Sequence, residues 1–396
     1  MKRRDRSSLA SQRRDSQHTS LNPRPGRTDR RSNRFRTQLL VLAVCAFAIR
    51  LALVWQLRPS PFFDVLLGDA RRYDAWAQQI ARGDWIGHDV FYQAPLYPYF
   101  LGLIYSIAGR DLLLVRTVQA GIGAAGCVLL ALAGRRWISE KAGLIAGICL
   151  AVYAPAIFHE ALLQKSVLDL FFMSAILWLL GCLGKEDDRR VTWFWLGLTL
   201  GALALTRENA LIFIVPIVGW QLAGSPGASR RRLSALAAVV LGLFVVLFPI
   251  ALRNRLAGGE WHLTTSQFGS NLYLGNNASA DGTATALREG RGSVEFERQD
   301  AAELAEAAVG RKLTPGQVSG YWTRQALAFI RSNPGTWLRL ERRKLTLLVN
   351  RAELIDTESQ ESYEEWSAVL RSTACSPSDS GSPAAQRLCV GTCGSQ

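Results

Sequence analysis

Apolar blocks long enough to cross a bilayer recur through the first two thirds of this chain, and they settle its fold class before anything else does. Seven stand out, at 38–57, 112–133, 142–158, 161–183, 191–206, 208–223 and 233–252. A hydrocarbon core roughly 30 Å thick takes about 20 helical residues to cross. Inside it each backbone N–H and C=O must be satisfied within its own segment, so the blocks are expected as helices. The reading is an all-α polytopic membrane module of about seven spans over 38–252. A smaller mixed α/β external region follows over 253–371.

Charge orients the module. Residues 1–37 hold twelve Lys or Arg against three Asp and little apolar content, within a chain whose formal charge is +14. Such a stretch is expected to be disordered. A basic tail can bind nucleic acid, but one that ends directly at a hydrophobic span acts as an orientation signal, with the N-terminus cytoplasmic. Nucleic acid is therefore not expected as a partner, and membrane lipids are. The block at 38–57 is too long for a signal-peptide core and runs into Leu57-Arg58-Pro59 rather than a small-residue cleavage site, so it reads as an anchor.

An eighth apolar stretch, 94–109, spans only 16 residues, and Pro95 and Pro98 suit a helix start. If it does not cross, the loops carrying Arg135, Arg136 and Lys141, then Lys185, Arg189 and Arg190, then Arg230, Arg231 and Arg232 all fall on the side of the basic tail. It is read as a juxtamembrane helix or the slanted start of the second span. The first external loop is then 58–93, and everything after Leu252 is external.

Two external segments exceed what connection requires. In the first, Tyr73, Trp76, Ala77 and Ile80 fall at helical spacing and form one apolar stripe on a helix over 69–82. In the second, 271–282 reads as a short strand into a turn, 300–308 and 317–332 as amphipathic helices, and 335–350 as a helix too charged to span that lies at the membrane surface. The Ser/Pro/Gly/Cys-rich end, 372–396, is expected to be disordered. Cys45, Cys127, Cys149 and Cys182 sit alone in apolar blocks as small hydrophobes, and Cys389 and Cys393 could pair only in an oxidising compartment.

Candidate chemistry lies at the external ends of the spans. Asp69 opens the first-loop helix; it reads either as a helix N-cap or as a carboxylate at the water boundary able to act as general base. Glu160, after His159, faces the same side, either as a boundary marker or as a second acid in a shared cavity. Lys165 is placed about a turn and a half inside the following span, where it would pair with Glu160 or meet a lipid phosphate. Arg207 is either one half of an ion pair with Glu208 or a phosphate contact. Arg72, one turn after Asp69, is a similar candidate, and Arg50 within the first span requires protein or water around it. Gly121-Ile-Gly-Ala-Ala-Gly126 fits a dinucleotide fingerprint in letters only: no strand precedes it, and mid-span its small residues let helices pack closely. Asn277-Ala-Ser279 fits a glycosylation sequon.

The ordered set GDARRYDAWAQQIARGDW, FYQAPLYPYFLGLIYSIAG, YAPAIFHEALLQKSVLDLFF, LALTRENALIF and NLYLGNNASADG resembles bacterial membrane glycosyltransferases of the GT-C superfamily. The nearest group is glycosyltransferase family 39, the protein-mannosyltransferase and aminoarabinose-transferase-like proteins. The likeness runs over roughly residues 39–363. It implies a cytoplasmic-membrane enzyme that uses a polyprenyl-phosphate sugar donor and a protein, lipid or polymer acceptor on the external side. It also implies Asp69 as the catalytic acid of the first loop and Glu160 as a second acid. Arg72, Tyr73, Lys165 and Arg207 would contact lipid phosphate or substrate, and a divalent metal is a possible cofactor. The chain departs from the family at its end, where relatives continue with further spans and this one becomes SPSDSGSPAAQRLCVGTCGSQ. Two rivals compete with this reading. A proton-coupled carrier would also bury paired acids, but the halves show no repeat. A non-catalytic scaffold would carry a degenerate site.

Overall fold

A computed structural model describes residues 27–183, 190–223, 229–283, 286–288, 290–292, 294–349 and 357–373. The chain divides into two compact units, Met1–Val41 and Leu42–Gln396. In the first, the described residues are the opening turns of helix α1 (Arg27–Leu57), where the Thr37 hydroxyl donates to the Asn33 carbonyl at 3.0 Å. Helical structure therefore reaches eleven residues further into the basic segment than its charge predicts, continuing from the apolar run. Residues 1–26 and 374–396, both expected to be disordered, lie outside the described residues.

Within the second unit the described residues are helices and turns. The segment expected as the first external loop forms α2 (Gly68–Ala81), and the 94–109 stretch forms α3 (Leu96–Ala108). At 1.5 Å per residue the 13 residues of α3 reach only about 20 Å. Gly109, at φ 77°, ends α3, and the Asp111 carboxylate then accepts from the backbone N–H of Leu113 and Leu114 to start α4 (Leu112–Trp137). The 94–109 stretch is thus a separate short helix rather than the beginning of α4. Ser139 caps α5 (Glu140–Val152) in the same way.

Pro155 lacks the N–H that would continue α5, and the chain bends by 54° at Tyr153 into α6 (Ala154–Ala161). Then come α7 (Ser166–Leu183), α8 (Arg190–Ala204), a 3-10 turn over Glu208–Phe213, α9 (Ile214–Ala223) and α10 (Ser229–Gly258). Among the described residues four helices are long and apolar enough to cross a membrane, or five if the bent pair α5 and α6 counts as one. The blocks at 191–206 and 208–223 form shorter helices of 15 and 10 residues. Large apolar side chains such as Ile145, Ile148, Leu241 and Phe244 stand exposed on these helices, as lipid-facing surfaces require.

Small residues set the closest helix approaches. A Cβ on Gly143 would run into the Ala131 carbonyl where α4 meets α5, and one on Gly197 or Gly242 into the facing backbone where α8 meets α10. Gly123, inside the run resembling a dinucleotide fingerprint, leaves room for the Glu160 carboxylate and the Arg50 guanidinium. One core cluster joins α1, α2, α3, α4, α6 and α7; a second joins α7, α8, α9 and α10.

The region after α10, expected as a mixed external one, is helical. α11 (Phe268–Gly275), α12 (Val294–Val309), α13 (Pro315–Ser332) and α14 (Pro334–Leu348) carry it, and no strand occurs among the described residues. The segment read as a strand at 271 lies in α11. Gly269 presses that helix directly onto the Ser319 backbone of α13, and the Asn277 amide donates to the Tyr273 and Leu274 carbonyls, closing the helix end. Three consecutive apolar residues, Leu272 to Leu274, are too few to set a period against that packing. The same bonds occupy the Asn277 amide of the sequon, which is buried. Two short helices, α15 (Gln360–Glu364) and α16 (Ala368–Thr373), lie against the membrane module: Tyr363 stacks on Phe62, and the Ser367 hydroxyl donates to Gln56 at 2.7 Å.

Candidate active site

Asp69 lies in the first turn of α2, but Leu67 is the residue that flanks the helix. The carboxylate does not cap the helix. It turns to side chains instead, accepting from the Gln93 amide at 2.9 Å and, more weakly, from the Tyr73 hydroxyl at 3.4 Å. It is half-buried, whereas Gln93 is 8% exposed and Tyr73 fully buried, so the partners are fixed and the acid retains an open side. The backbone at Gly68 has φ 48°, and the Thr357 side chain occupies the space a Cβ would need, so glycine is required next to the acid.

Tyr73 extends the arrangement inward. Its ring meets Tyr97 edge-on at 5.3 Å, the Tyr97 hydroxyl donates to Gln119 at 2.6 Å, and the Gln119 amide donates to the Glu160 and Leu162 carbonyls. Burial first, and then the negative charge of Asp69, push the Tyr73 hydroxyl far above the usual phenol range, while Arg207 and Arg72 pull the other way. Tyr73 therefore stays a neutral donor toward the acid.

A second group meets this one across the ends of α7 and α8. Lys165 sits in the turn before α7, not inside the span, because the helix begins only at Ser166. Burial and the neighbouring Arg207 hold its ammonium below the usual lysine range, opposed by Asp69, Asp169 and Glu208. Arg207 follows α8, and its Nε donates to Asp169 Oδ2 at 2.7 Å. The pairing with Glu208 expected from adjacency does not form; Glu208 accepts from the Thr265 hydroxyl of the external region. The other Asp169 oxygen is buried with no hydrogen-bond partner. A backbone bond from Leu96 N–H to the Leu205 carbonyl at 3.2 Å ties the loop bearing Gln93 to the end of α8 bearing Arg207.

Glu160 is placed elsewhere. Its side chain is 2% exposed and ion-paired with Arg50 of α1, whose guanidinium also donates to the Ala46 carbonyl and approaches Cys127. The expected convergence of Asp69 and Glu160 on one cavity is not what the fold builds, and Lys165 does not pair with Glu160. Asp74, one turn beyond Asp69, faces away from the acid and clamps α2 to α3 through Tyr105 at 2.6 Å and Arg110 at 2.9 Å.

The site thus brings together Asp69, Tyr73, Lys165 and Arg207 from the expected set. Arg72 reaches it electrostatically, through its influence on Tyr73 and Tyr92. Gln93 and Asp169 were not anticipated, and Glu208 was expected only as the partner of Arg207; only the polar letters inside apolar runs, as in LDLFF, hinted at the first two. Among the described residues no three of His, Cys, Asp and Glu are grouped so as to hold a metal ion. Residues from Arg253 onward close the other flank. Arg253 at the end of α10 donates to the Ile86 and Asp89 carbonyls and stacks on Phe91 at 3.8 Å. Asn254 accepts from Phe91 N–H at 3.1 Å and donates to the His262 and Thr264 carbonyls.

Residues 92–252 match the family described as dolichyl-phosphate-mannose-protein mannosyltransferase. That match covers the Gln93 loop, Lys165, Asp169 and Arg207, but not Asp69. No curated protein matches the chain. Among solved structures, the Saccharomyces cerevisiae protein O-mannosyltransferase Pmt1–Pmt2 complex bound to its sugar donor is similar at 17% identity and TM-score 0.47, over 60% of this chain and 35% of that one. The Archaeoglobus fulgidus oligosaccharyltransferase with a tethered acceptor peptide is similar at 14% identity and TM-score 0.40, over 80% of this chain and 53% of that one. The chain thus spans between a third and about half the length of these structures. The family match over 92–252 and the ordered sequence motifs agree that this multi-pass membrane chain is similar to the GT-C superfamily glycosyltransferases.

Proposed function

We propose that this protein transfers a sugar from a polyprenyl-phosphate-linked donor to an acceptor on the external side of the membrane, with Asp69 as the general base. One observation carries the reading. Asp69 is held by Gln93 and Tyr73 on one flank of a group whose other flank supplies two cations, Lys165 and Arg207.

The division of charge suits displacement at an anomeric carbon. The acceptor's O–H or N–H proton passes to an Asp69 oxygen as the acceptor atom bonds to the sugar. The bond from the anomeric carbon to the phosphate oxygen breaks, and its electron pair remains on the phosphate. Lys165 and Arg207, with Arg72 on the next turn of α2, offset the negative charge that grows there. Gln93 aims the carboxylate, and the neutral Tyr73 donates to it. Among the described residues no three metal-binding side chains are grouped, and the cations alone are assigned to the phosphate. Glu160 is left to hold α1 to the module.

The reading is tested by incubating membranes that contain the protein with radiolabelled polyprenyl-phosphate sugars and following transfer to endogenous acceptor, wild type against Asp69→Asn. Transfer that disappears in the variant supports it. Transfer unaffected by Asp69→Asn removes the assigned base, and uptake of free solute would favour a carrier instead.

A further inference from the structure

Helix α14 has one face accounted for and one that is not. Inward, Trp337 Nε1 donates to the Asn276 side chain at 3.0 Å, Leu340 is buried, and Leu347 and Lys344 pack against Gly282. Outward, Leu338, Leu345, Leu348 and Val349 are 61%, 66%, 81% and 84% exposed. At 3.6 residues per turn Leu338, Leu345 and Val349 fall within about 40° of one another, and Arg342, Arg339 and Arg343 follow in turn along one flank. Arg339, Arg342, Arg343 and Lys344 stand against one acid on the helix, Glu341, which Lys344 holds at 2.6 Å; Arg343 also reaches Asp281 off the helix, in an exposed contact at 3.9 Å.

An occupant of this face must be apolar along its centre and anionic beside it. At 15 residues the helix reaches about 22 Å, too short and too charged to cross a bilayer itself. The same chain crosses one through α10, so a bilayer surface is always close to the external region. We propose that α14 is an in-plane anchor that lays Leu338, Leu345 and Val349 into the headgroup–acyl boundary of an anionic leaflet, with Arg339, Arg342 and Arg343 on lipid phosphates. This assignment is independent of the transferase reading, since no residue of α14 belongs to the Asp69 site.

The test places a photo-crosslinking benzoylphenylalanine at Leu338, at Leu345 or, as a control, at the exposed Gln325 of α13. The full chain is reconstituted in vesicles of phosphatidylcholine with or without phosphatidylglycerol, each lipid tritiated in turn. Adducts from positions 338 and 345 should exceed those from 325 several-fold and should favour phosphatidylglycerol. The combined variant Arg339→Gln, Arg342→Gln, Arg343→Gln should abolish that preference while the phosphatidylcholine adducts remain. Adducts at both positions no greater than the control, equal labelling by the two lipids, or cross-links joining two copies of the chain would each overturn the assignment.

Discussion

Glu160 and Arg50 form an ion pair between α6 and α1 in which both side chains are 2% exposed. Removing one partner of such a pair leaves a bare charge in an apolar interior, which costs about 3–5 kcal/mol. Glu160→Ala should therefore lower the unfolding temperature in detergent sharply. Replacing both partners together, Arg50→Met with Glu160→Met, should recover most of the loss. A direct catalytic role for Glu160 predicts the reverse pattern: transfer abolished in the double variant despite restored stability.

Asp69→Asn keeps the shape of the side chain and removes its basicity. Transfer should fall by roughly 100- to 10,000-fold, the range for loss of a positioned base. Because Asp69 is half-buried and bonded to neutral partners, the unfolding temperature should stay close to wild type. Single-turnover measurement with saturating donor separates this from weaker donor binding.

Gln93→Leu tests positioning. Gln93 Nε2 holds one Asp69 oxygen at 2.9 Å, and a base released from its orientation loses roughly ten- to a hundred-fold in turnover. The KM for the donor should change little, because Gln93 bears no charge toward a phosphate. Gln93→Glu would place a second carboxylate against Asp69 and should be worse than Gln93→Leu.

Lys165 predicts a pH effect. Burial, then repulsion from Arg207, holds its ammonium below the ordinary lysine range. As pH rises the cation is lost earlier than an unperturbed lysine would lose it, so transfer should fail on the alkaline side. Lys165→Arg should move that limb upward, because a guanidinium does not titrate there. An alkaline limb unmoved by the substitution would remove Lys165 from the reaction.

Glu260 predicts an acid effect on structure. Burial alone would raise its carboxyl, but the Thr314 hydroxyl, the Gly316 N–H at 2.8 Å and His262 outweigh this and hold it below the usual glutamate range. A depressed carboxylate stabilises the fold above its unfolded pKa, and that contribution is lost as pH falls through the folded value. Proteolytic cleavage near the start of α13 should therefore rise in acid, and Glu260→Gln should show the faster cleavage already at neutral pH.

What could be read from the residues follows a physical divide. Periodicity and apolar length are local, so α2, α4, α10, α13 and α14 were expected nearly where they lie, and Asp69 stood out at the start of α2. Partner choice is not local. Arg50 and Glu160 are 110 positions apart, Gln93 reaches back 24 to Asp69, and Arg207 reaches back 38 to Asp169. Adjacency suggested Arg207 with Glu208, yet the turn between α8 and the 3-10 segment sends the two side chains to different neighbours. Composition also misjudged the region after α10, because the contact of Gly269 with α13 decides for helix where a short apolar run, Leu272 to Leu274, followed by turn residues reads as a strand.

The clamp of Arg253 and Asn254 on residues 86–91 has a consequence for biogenesis. The bond from Phe91 to Asn254 joins points 163 residues apart, and the later one leaves the ribosome only after α10 has been synthesised. Until then the loop bearing Gln93 is held by its contacts with α2 and α3 and by the Leu96–Leu205 bond, without this brace. A nascent chain inserted as far as α9 carries Asp69, Lys165 and Arg207 but not the brace on residues 86–91, so the arrangement around Asp69 is completed only when the last long helix of the module is in place.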